Sequence, residues 1–265
     1  MQSDEQGYPY ITNETLCVSC GHCVAVCEAH AIHHDNFPFG TIQPVQRECL
    51  PTSDQVRELF RCRRSIRAFL DKPVDRDLLT SIVDAARFAP STNNEQSTEW
   101  LIVQDKALLK KIEKETHIYF QHVIDRLHNP LIRLLYALST RPEARSTLAS
   151  LHDLQMVIKK ENNATDFFLR NAPVLIISHS KKTLGSSDVD AHFALHNATL
   201  MIQTVGLGCF YAGYVVVACR KNRHLQRLLS LPPGHSIHGC LALGYPKISY
   251  ENWIEKRPAQ VSWRY

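Results

Sequence analysis

Four cysteines near the start of the chain are the residues best suited to redox chemistry. Cys17, Cys20, Cys23 and Cys27 follow the spacing C-x2-C-x2-C-x3-C. This uninterrupted run is typical of a 4Fe–4S cluster site, because gaps of two residues aim successive sulfurs at neighbouring iron atoms. The run therefore predicts that these four thiolates are metal ligands and that the protein handles electrons.

A zinc site is the alternative explanation of the run. Structural zinc sites usually present two separated C-x2-C pairs, whereas the next cysteine after Cys27 is Cys49. The fourth cluster ligand is open as well, since Glu28 stands where a proline is usual and no second copy of the run is present. We expect Cys27 to serve, because Cys49 lies in a segment that is predicted to be a linker; Cys49 remains the alternative.

No functional role is predicted for the remaining cysteines or for the histidines near the cysteine run. Cysteines scattered among apolar residues are usually small buried hydrophobic groups, and this applies to Cys62, Cys209, Cys219 and Cys240. Histidines in loops are more often solvated than metal-bound, and this applies to His22, His30, His33 and His34.

Residues 63–67 form a basic segment with the sequence Arg-Arg-Ser-Ile-Arg. If a helix ends here, its guanidinium and hydroxyl donors can converge on one phosphate, for which the planar guanidinium fork is well suited. A solvated basic face after a helix explains the segment equally well when it is considered alone.

Residues 90–96 form a polar loop with the sequence Pro-Ser-Thr-Asn-Asn-Glu-Gln, directly after an apolar helical pattern. Its hydroxyl, amide and backbone N–H groups suit a flat heterocycle that has N–H and C=O edges. Such loops are common, so this signal is weak by itself.

The elements that would position these residues suggest an α+β protein in two parts. Residues 1–37 are predicted to be an iron–sulfur module, residues 38–54 a linker, and residues 55–265 the main domain. Helices are predicted from about residue 54, with Ser53 or Asp54 as N-cap, and over 78–86, 106–128, 192–205 and 223–231; strands are predicted over 100–103, 174–177 and 241–246. Residues 130–165 are expected to be polar and helical, without a chemical motif.

Composition narrows the class of protein. Apolar residues make up 44% of the 265 residues, which is enough for a substantial core. The net charge of +4 is small, and no dense basic block with interleaved aromatic residues argues for nucleic-acid binding. No apolar stretch is long enough to cross a membrane. The polar N-terminus has no signal-peptide character, so we expect a cytoplasmic protein with reduced thiols.

Taken together, these segments resemble the flavin-dependent nitroreductase family. The segments that carry the resemblance, in the family's order, are residues 63–69, 72–74, 89–96, 170–177, 206–213 and 243–247. Residues 17–32 resemble the ferredoxin module attached to one branch of that family. The sequence departs from the family pattern at Ser97, where a proline is frequent, and at Ala212, where some relatives have an acidic residue.

The resemblance implies a mixed central sheet flanked by helices, and a homodimer with FMN bound at the subunit interface. At the FMN phosphate and ribityl chain it implies Arg63, Arg64, Ser65 and Arg67, with Lys256 and Arg257 also at the phosphate. It implies that Pro90, Ser91 and Thr92 belong to a loop contributed to the partner's flavin site, and that Asn94 and Gln96 lie near the pyrimidine ring. It implies that Tyr211, Ala212 and Gly213 run past the flavin N5.

The resemblance further implies an FMN-dependent oxidoreductase that reduces nitro, quinone or similarly activated small molecules. Electrons would come from a donor such as ferredoxin or NAD(P)H, relayed through the cluster. No catalytic side chain is expected, because the flavin carries the chemistry. Two alternatives stay open: a reductive dehalogenase or flavin-modifying enzyme on the same fold, and a non-enzymatic zinc-binding or redox-sensing protein.

Overall fold

The computed structural model describes residues 2–3, 5–10, 14–161, 166–181 and 186–265. Its strands are β1 (Gln2–Ser3), β2 (Pro9–Tyr10), β3 (Glu99–Val103), β4 (Val174–Lys181), β5 (Gly208–Tyr211) and β6 (His235–Gly244). Its α-helices are α1 (His22–Val26), α2 (Ser53–Cys62), α3 (Arg76–Ala86), α4 (Lys106–His128), α5 (Pro130–Leu138), α6 (Pro142–Ala149), α7 (Leu151–Glu161), α8 (Ser187–Thr204), α9 (Gly213–Lys221) and α10 (Arg223–Leu228). Short 3-10 turns cover Glu14–Leu16, Phe39–Thr41, Arg47–Cys49 and Thr92–Asn94.

The central sheet has the strand order β3-β4-β6-β5, and each of these pairs is antiparallel. A parallel bridge between Ser65 and Cys209 adds the segment after α2 beside β5, so the sheet is mixed. Strands β4 and β6 are apolar on both faces because helices cover both sides. The predicted α+β class with a mixed sheet between helices is therefore confirmed.

Alternate side chains of β4 enter two separate cores, as the period of a strand requires. Val174 and Ile176 pack in one core with side chains of α3 and α8. Leu175 and Ile177 pack in the other core with side chains of α4, α7, α9 and α10. All four side chains are fully buried, so the sheet is a rigid layer to which the loops at its ends are anchored.

The N-terminal segment has little regular structure. The strands β1 and β2 pair as a short antiparallel ribbon, and α1 follows after Gly21. Helix α2 begins after Thr52 with a capping box, in which Thr52 and Gln55 exchange hydrogen bonds. The predicted N-cap at Ser53 or Asp54 is thus wrong by one or two residues, and the last two residues of the predicted linker are helical.

Several predicted elements are confirmed, including the strands at 100–103 and 174–177 and the helix that ends before Gly206, which has φ +73°. Strand β5 and helix α9 were not predicted, since both are short and share one apolar stretch. The segment 130–165 is helical through Glu161, and its last four residues lie outside the described part of the chain. Its predicted polarity is wrong for α5, which exposes Leu131, Leu134, Leu135 and Leu138. None of the described helices is both long and apolar enough to cross a membrane.

Candidate functional site

The cysteine run lies in a tight loop around α1. Gly21 starts this helix with φ +74°, and an added Cβ would meet the Phe37 ring at 3.3 Å, so glycine is required between Cys20 and Cys23. Two backbone N–H groups already donate to sulfurs: Ser19 N–H to Cys17 Sγ at 3.4 Å, and Ala31 N–H to Cys27 Sγ at 3.3 Å. Such N–H···S bonds are among the interactions that tune iron–sulfur clusters.

The four thiols are not gathered around a single point. Sulfurs that share one zinc ion lie about 3.8 Å apart, given Zn–S bonds near 2.3 Å and tetrahedral angles. Within the described ranges, no three of the ligand sulfurs lie within 4.8 Å of one another. The thiols are therefore not preformed as the ligands of one zinc ion.

The two candidates for the fourth ligand differ in position. Cys27 is half-buried beside α1. Cys49 is exposed in a separate 3-10 turn, and its thiol donates to Gln46 Oε1 at 3.6 Å. The half-buried position of Cys27 beside α1 supports Cys27 as the fourth cluster ligand.

The structure also adds a contact that the sequence did not indicate: His34 Nε2 lies 3.4 Å from Cys17 Sγ.

The basic segment 63–67 is positioned by the end of α2 and by β5. Arg63 ends the helix with an extended backbone (ψ 119°). Ile66 N–H then donates to the Cys209 carbonyl at 2.9 Å, so the segment continues the sheet. Side chains of the segment reach the end of β5, where the Arg67 guanidinium lies 5.8 Å from the centre of the Phe210 ring. The helix therefore ends where the phosphate hypothesis requires.

The arginines of this segment are available for an anion. Arg63 and Arg64 are half-buried, whereas Arg67 is exposed. Within the described part of the chain, none of the three has a carboxylate within 4.0 Å. Burial raises the pKa of the Cys209 thiol to about 12, and the positive charge of the nearby Arg63 opposes this shift. Half-buried guanidinium groups without counter-ions fit the phosphate of FMN.

The loop 90–96 is held by α8 and by an unusual backbone. Thr92 donates to the buried Asp190 carboxylate twice, through its N–H at 3.1 Å and its hydroxyl at 3.2 Å. Asn93, Asn94 and Gln96 all have φ near +50°. This left-handed conformation is uncommon for residues other than glycine, and it is frequent where a loop is shaped for a ligand.

The loop also contacts the cysteine run. The Asn94 side-chain amide donates to the Ser19 carbonyl at 2.5 Å, and Ser19 lies between Cys17 and Cys20. A second bond joins Asn36 Nδ2 to Ser19 Oγ at 2.7 Å. Two segments that the sequence analysis treated separately are thus adjacent in space.

The stretch Tyr211–Gly213 joins β5 to α9. The Ala212 N–H already donates to the Cys240 carbonyl at 2.9 Å, so it is held in the sheet. Gly213 begins α9, where the first N–H groups have no acceptor within the helix. The Gly213 N–H therefore has no helix bond and could face a flavin edge.

A large cavity opens beside this stretch. It has a volume of about 1020 Å³, and Tyr211 and Gly213 form part of its wall. Helices α4, α5 and α6 supply much of the rest, including Tyr119, Tyr136 and two arginines, Arg126 and Arg141. No sequence motif marks this cavity, because its lining residues come from separate helices whose packing is not encoded in local spacing.

The C-terminal basic pair lies in an exposed segment. Lys256 and Arg257 are exposed, as is every residue from 251 to 265. The segment contacts α2 at Trp253, whose ring centre lies 4.7 Å from the Arg61 guanidinium. The phosphate contact of Lys256 and Arg257 stays a prediction.

Comparison with known proteins gives the family of this α+β protein with its cysteine loop. Residues 60–245 match the family model of the nitroreductase family, and residues 10–33 match that of the 4Fe-4S binding domain. The first match covers well over half of the chain. The chain therefore belongs to the nitroreductase family, which confirms the resemblance, and the second match contains Cys17 to Cys27 but not Cys49.

Individual relatives agree with this assignment. The FMN reductase (NAD(P)H) of Bacillus subtilis (strain 168) is 33% identical over 184 residues, which are 69% of this chain and 62% of that protein. A nitroreductase with bound FMN from Desulfitobacterium hafniense DCB-2 is 19% identical, covers 78% of this chain and 97% of its own, and has a TM-score of 0.57. The structure of an iodotyrosine deiodinase bound to FMN and 3-iodo-L-tyrosine is 20% identical and has a TM-score of 0.54. The match covers 79% of this chain and 98% of that one.

Proposed function

We propose that this chain is an FMN-dependent oxidoreductase that reduces nitro, quinone or similarly activated small molecules, with electrons relayed through an N-terminal 4Fe–4S cluster. The observation that carries the proposal is the hydrogen bond from Asn94 to Ser19, which attaches the cysteine loop to the loop predicted to lie on a flavin. A relay requires the cluster loop to lie close to the flavin loop. A redox sensor or a zinc module has no need of such a contact.

In this proposal the chain's own residues bind and orient the flavin. The donors of Arg63, Arg64 and Ser65 hold its phosphate end, and the N–H of Gly213 lies along the edge of its ring. When bound, FMN supplies one- and two-electron chemistry. The protein contributes orientation and a positive field, and no side chain is needed as nucleophile or general base.

The cysteine loop is proposed to hold the cluster through Cys17, Cys20, Cys23 and Cys27. The cluster supplies one-electron transfer. The N–H groups of Ser19 and Ala31 stabilise negative charge on two of the sulfurs. The match of residues 10–33 to a 4Fe-4S binding domain supports this ligand set over one that contains Cys49.

We propose a homodimer in which each cluster serves the flavin held by the arginines of the other subunit. The resemblance assigns Pro90, Ser91 and Thr92 to a loop contributed to the partner's flavin, and in this chain that loop carries the cysteine run with it. The same arrangement would allow the exposed Lys256 and Arg257 to reach a flavin phosphate across the interface.

The electron donor is proposed to be NAD(P)H or a ferredoxin-like protein. The name of the Bacillus subtilis relative includes NAD(P)H, which supports the first donor. The presence of a cluster-binding loop supports the second, because a one-electron donor matches a one-electron acceptor.

The acceptor is proposed to occupy the cavity beside Gly213. Its tyrosines offer flat apolar surfaces, which suit an aromatic molecule. Arg126 and Arg141 have no carboxylate within 4.0 Å among the residues that the structure describes, so they favour an acceptor with an anionic substituent.

The relay is tested with anaerobic protein loaded with iron, sulfide and FMN. The variant Cys20→Ser is compared with Cys62→Ser, in which an exposed cysteine outside the run is changed. With a reduced ferredoxin as donor, we expect flavin reduction to slow at least tenfold in Cys20→Ser and to be unchanged in Cys62→Ser. Equal rates in the two variants would contradict the relay, and a wild-type protein that binds neither iron nor FMN would contradict the proposed function.

The acceptor site is tested with two related nitro compounds. We expect Arg126→Gln to raise the KM for 4-nitrobenzoate by roughly tenfold and to leave that for 4-nitrobenzamide within twofold, since a lost charged contact costs about 1.5 kcal/mol. Arg133→Gln on α5 is the control, because Arg133 does not line the cavity. An equal change for both compounds would mean that the arginine does not contact the acceptor's charge.

A further inference from the structure

Three potential metal ligands converge at one end of the central sheet, outside the flavin and cluster sites. Glu99 on β3, His179 on β4 and His235 on β6 each offer one ligand atom, and these atoms lie within 4.8 Å of one another. The two Nδ1 atoms of the histidines are 3.0 Å apart, and His235 Nε2 lies 3.8 Å from Glu99 Oε1. His179 is almost fully buried, whereas Glu99 is exposed.

The register of the sheet explains part of this convergence. Glu99 and His179 are direct partners in the antiparallel pair β3–β4, so their side chains project from the same face. His179 pairs in turn with Ile237 of β6. His235 precedes Ile237 by two residues, so it projects from that face as well and is a diagonal neighbour of His179.

A β-bulge completes the arrangement. Ser178 pairs with Gly239 and His179 pairs with Ile237, so His238 is an extra residue in β6. Without this extra residue the register would shift by one, and His235 would project from the opposite face. The bulge is held by Arg220, which donates to the carbonyls of both Ile237 and His238.

The geometry suits a metal ion shared by the three side chains. Two nitrogens bound to one zinc ion at 2.0–2.1 Å lie about 2.8 to 3.4 Å apart for angles between 90° and the tetrahedral value. The pair His179 and His235 already has this separation. Two imidazoles and one carboxylate form a ligand set that zinc and other divalent transition metals accept.

We propose that Glu99, His179 and His235 bind a divalent transition-metal ion, with zinc as the preferred ion. Three protein ligands leave a fourth position for water. Since the ligands come from three neighbouring strands, the bound ion cross-links β3, β4 and β6 at this end of the sheet. An ion that binds only the folded chain stabilises that chain by mass action.

The test uses full-length protein with its cluster and FMN in place, so that the four thiols of the cysteine run are not free to take up zinc. Zinc binding is measured by equilibrium dialysis, and the ion is located by anomalous diffraction from zinc-soaked crystals. We expect one zinc ion per chain in addition to the cluster iron, and an anomalous peak between the three side chains. We also expect the thermal unfolding temperature to rise on zinc addition.

The variants are chosen so that misfolding does not obscure the result. Glu99→Gln and His235→Gln change side chains that are not fully buried, and we expect each to weaken zinc binding at least tenfold. His224→Gln is the control, because His224 is an exposed histidine that lies 3.6 Å from the half-buried carboxylate of Glu115. Absence of zinc from the wild-type site, or equal zinc affinity in His235→Gln and His224→Gln, would overturn the proposal and leave only a hydrogen bond between two imidazoles.

Discussion

At the residue level, the proposed FMN site relies on charged groups that have no counter-ion within 4.0 Å among the residues that the structure describes. Arg64 is half-buried, and its guanidinium lies 5.6 Å from the centre of the Tyr250 ring rather than beside a carboxylate. A guanidinium in these surroundings gains from a phosphate, because the charge-assisted bonds form away from bulk water.

We therefore expect Arg64→Gln to weaken FMN binding by roughly tenfold to a hundredfold, given about 1.5 to 3 kcal/mol for hydrogen bonds to a charged group. Titration of the flavin-free protein with FMN, followed by flavin fluorescence, measures this. Arg57→Gln is the matched control, because Arg57 is an exposed arginine of α2 that pairs with Asp54 at 3.1 Å. An equal loss in both variants would mean that net charge, rather than a phosphate contact, is responsible.

A second residue-scale prediction concerns His238, which is 6% exposed and hydrogen-bonded to Ser180 Oγ at 2.8 Å. Burial, reinforced by the nearby Arg220, lowers the pKa of His238 from 6.5 to about 4. The unfolded chain therefore takes up a proton below pH 6.5 that the folded chain takes up only near pH 4. The free energy of unfolding must fall as the pH decreases through this window, by up to about 3 kcal/mol at the lower end.

Urea unfolding at pH 7 and at pH 4.5 measures this effect. The variant His238→Gln keeps a polar group for Ser180 but does not titrate, so we expect it to lose less stability than the wild type between the two pH values. If both proteins lose the same amount, other groups account for the acid sensitivity.

At the level of elements, the turn 63–67, which is proposed to bind the FMN phosphate, is held by its bridge to β5. The segment approaches β5 so closely that a Cβ on Gly208 would lie 2.5 Å from Ile66 Cγ1. Glycine at position 208 is thus required by the packing of the turn rather than by its own backbone angles.

We expect Gly208→Ala to lower the free energy of unfolding by about 1 to 3 kcal/mol, a typical cost of overpacking. We also expect it to weaken FMN binding, because Ile66 must move and Arg64 and Ser65 move with it. Urea unfolding and FMN titration are the measurements. Gly40→Ala is the control, since a Cβ there meets no atom within 4 Å, and comparable losses in both variants would contradict this explanation.

At the scale of the whole molecule, the C-terminal segment is the feature that a single chain leaves unexplained. Residues 251–265 are exposed throughout and include the large apolar side chains Ile254, Val261 and Trp263. Exposed apolar side chains gathered in one segment usually mark a contact surface. The proposed homodimer provides such a contact.

We expect the protein to be a dimer by light scattering, and a chain that ends at Tyr250 to dissociate at a concentration at least tenfold higher. Loss of Lys256 and Arg257 with the segment should also weaken FMN binding. The control is Lys256→Gln with Arg257→Gln in the full chain, which should affect FMN binding but not the dimer. A truncated chain that dimerises like the full chain would exclude the segment from the interface.

Features that depend only on neighbouring residues could be predicted from the sequence alone. The spacing of the four cysteines, the grouping of three arginines and the end of α8 at Gly206 are local, and each follows from chain geometry over a few residues. The order of these segments was enough to predict the family and the fold class. Strand β5 and helix α9 were missed because they are short and apolar, so no period distinguishes a strand from a helix there.

Contacts between groups that are distant in the sequence are visible only in the folded chain. Asn94 reaches Ser19, Thr92 reaches Asp190, and His34 lies beside Cys17. None of these contacts has a signal in local spacing, because each depends on how helices and loops pack against the sheet. The same holds for the bulge in β6, since one extra residue decides which face a histidine occupies and its position follows from the pairing of whole strands.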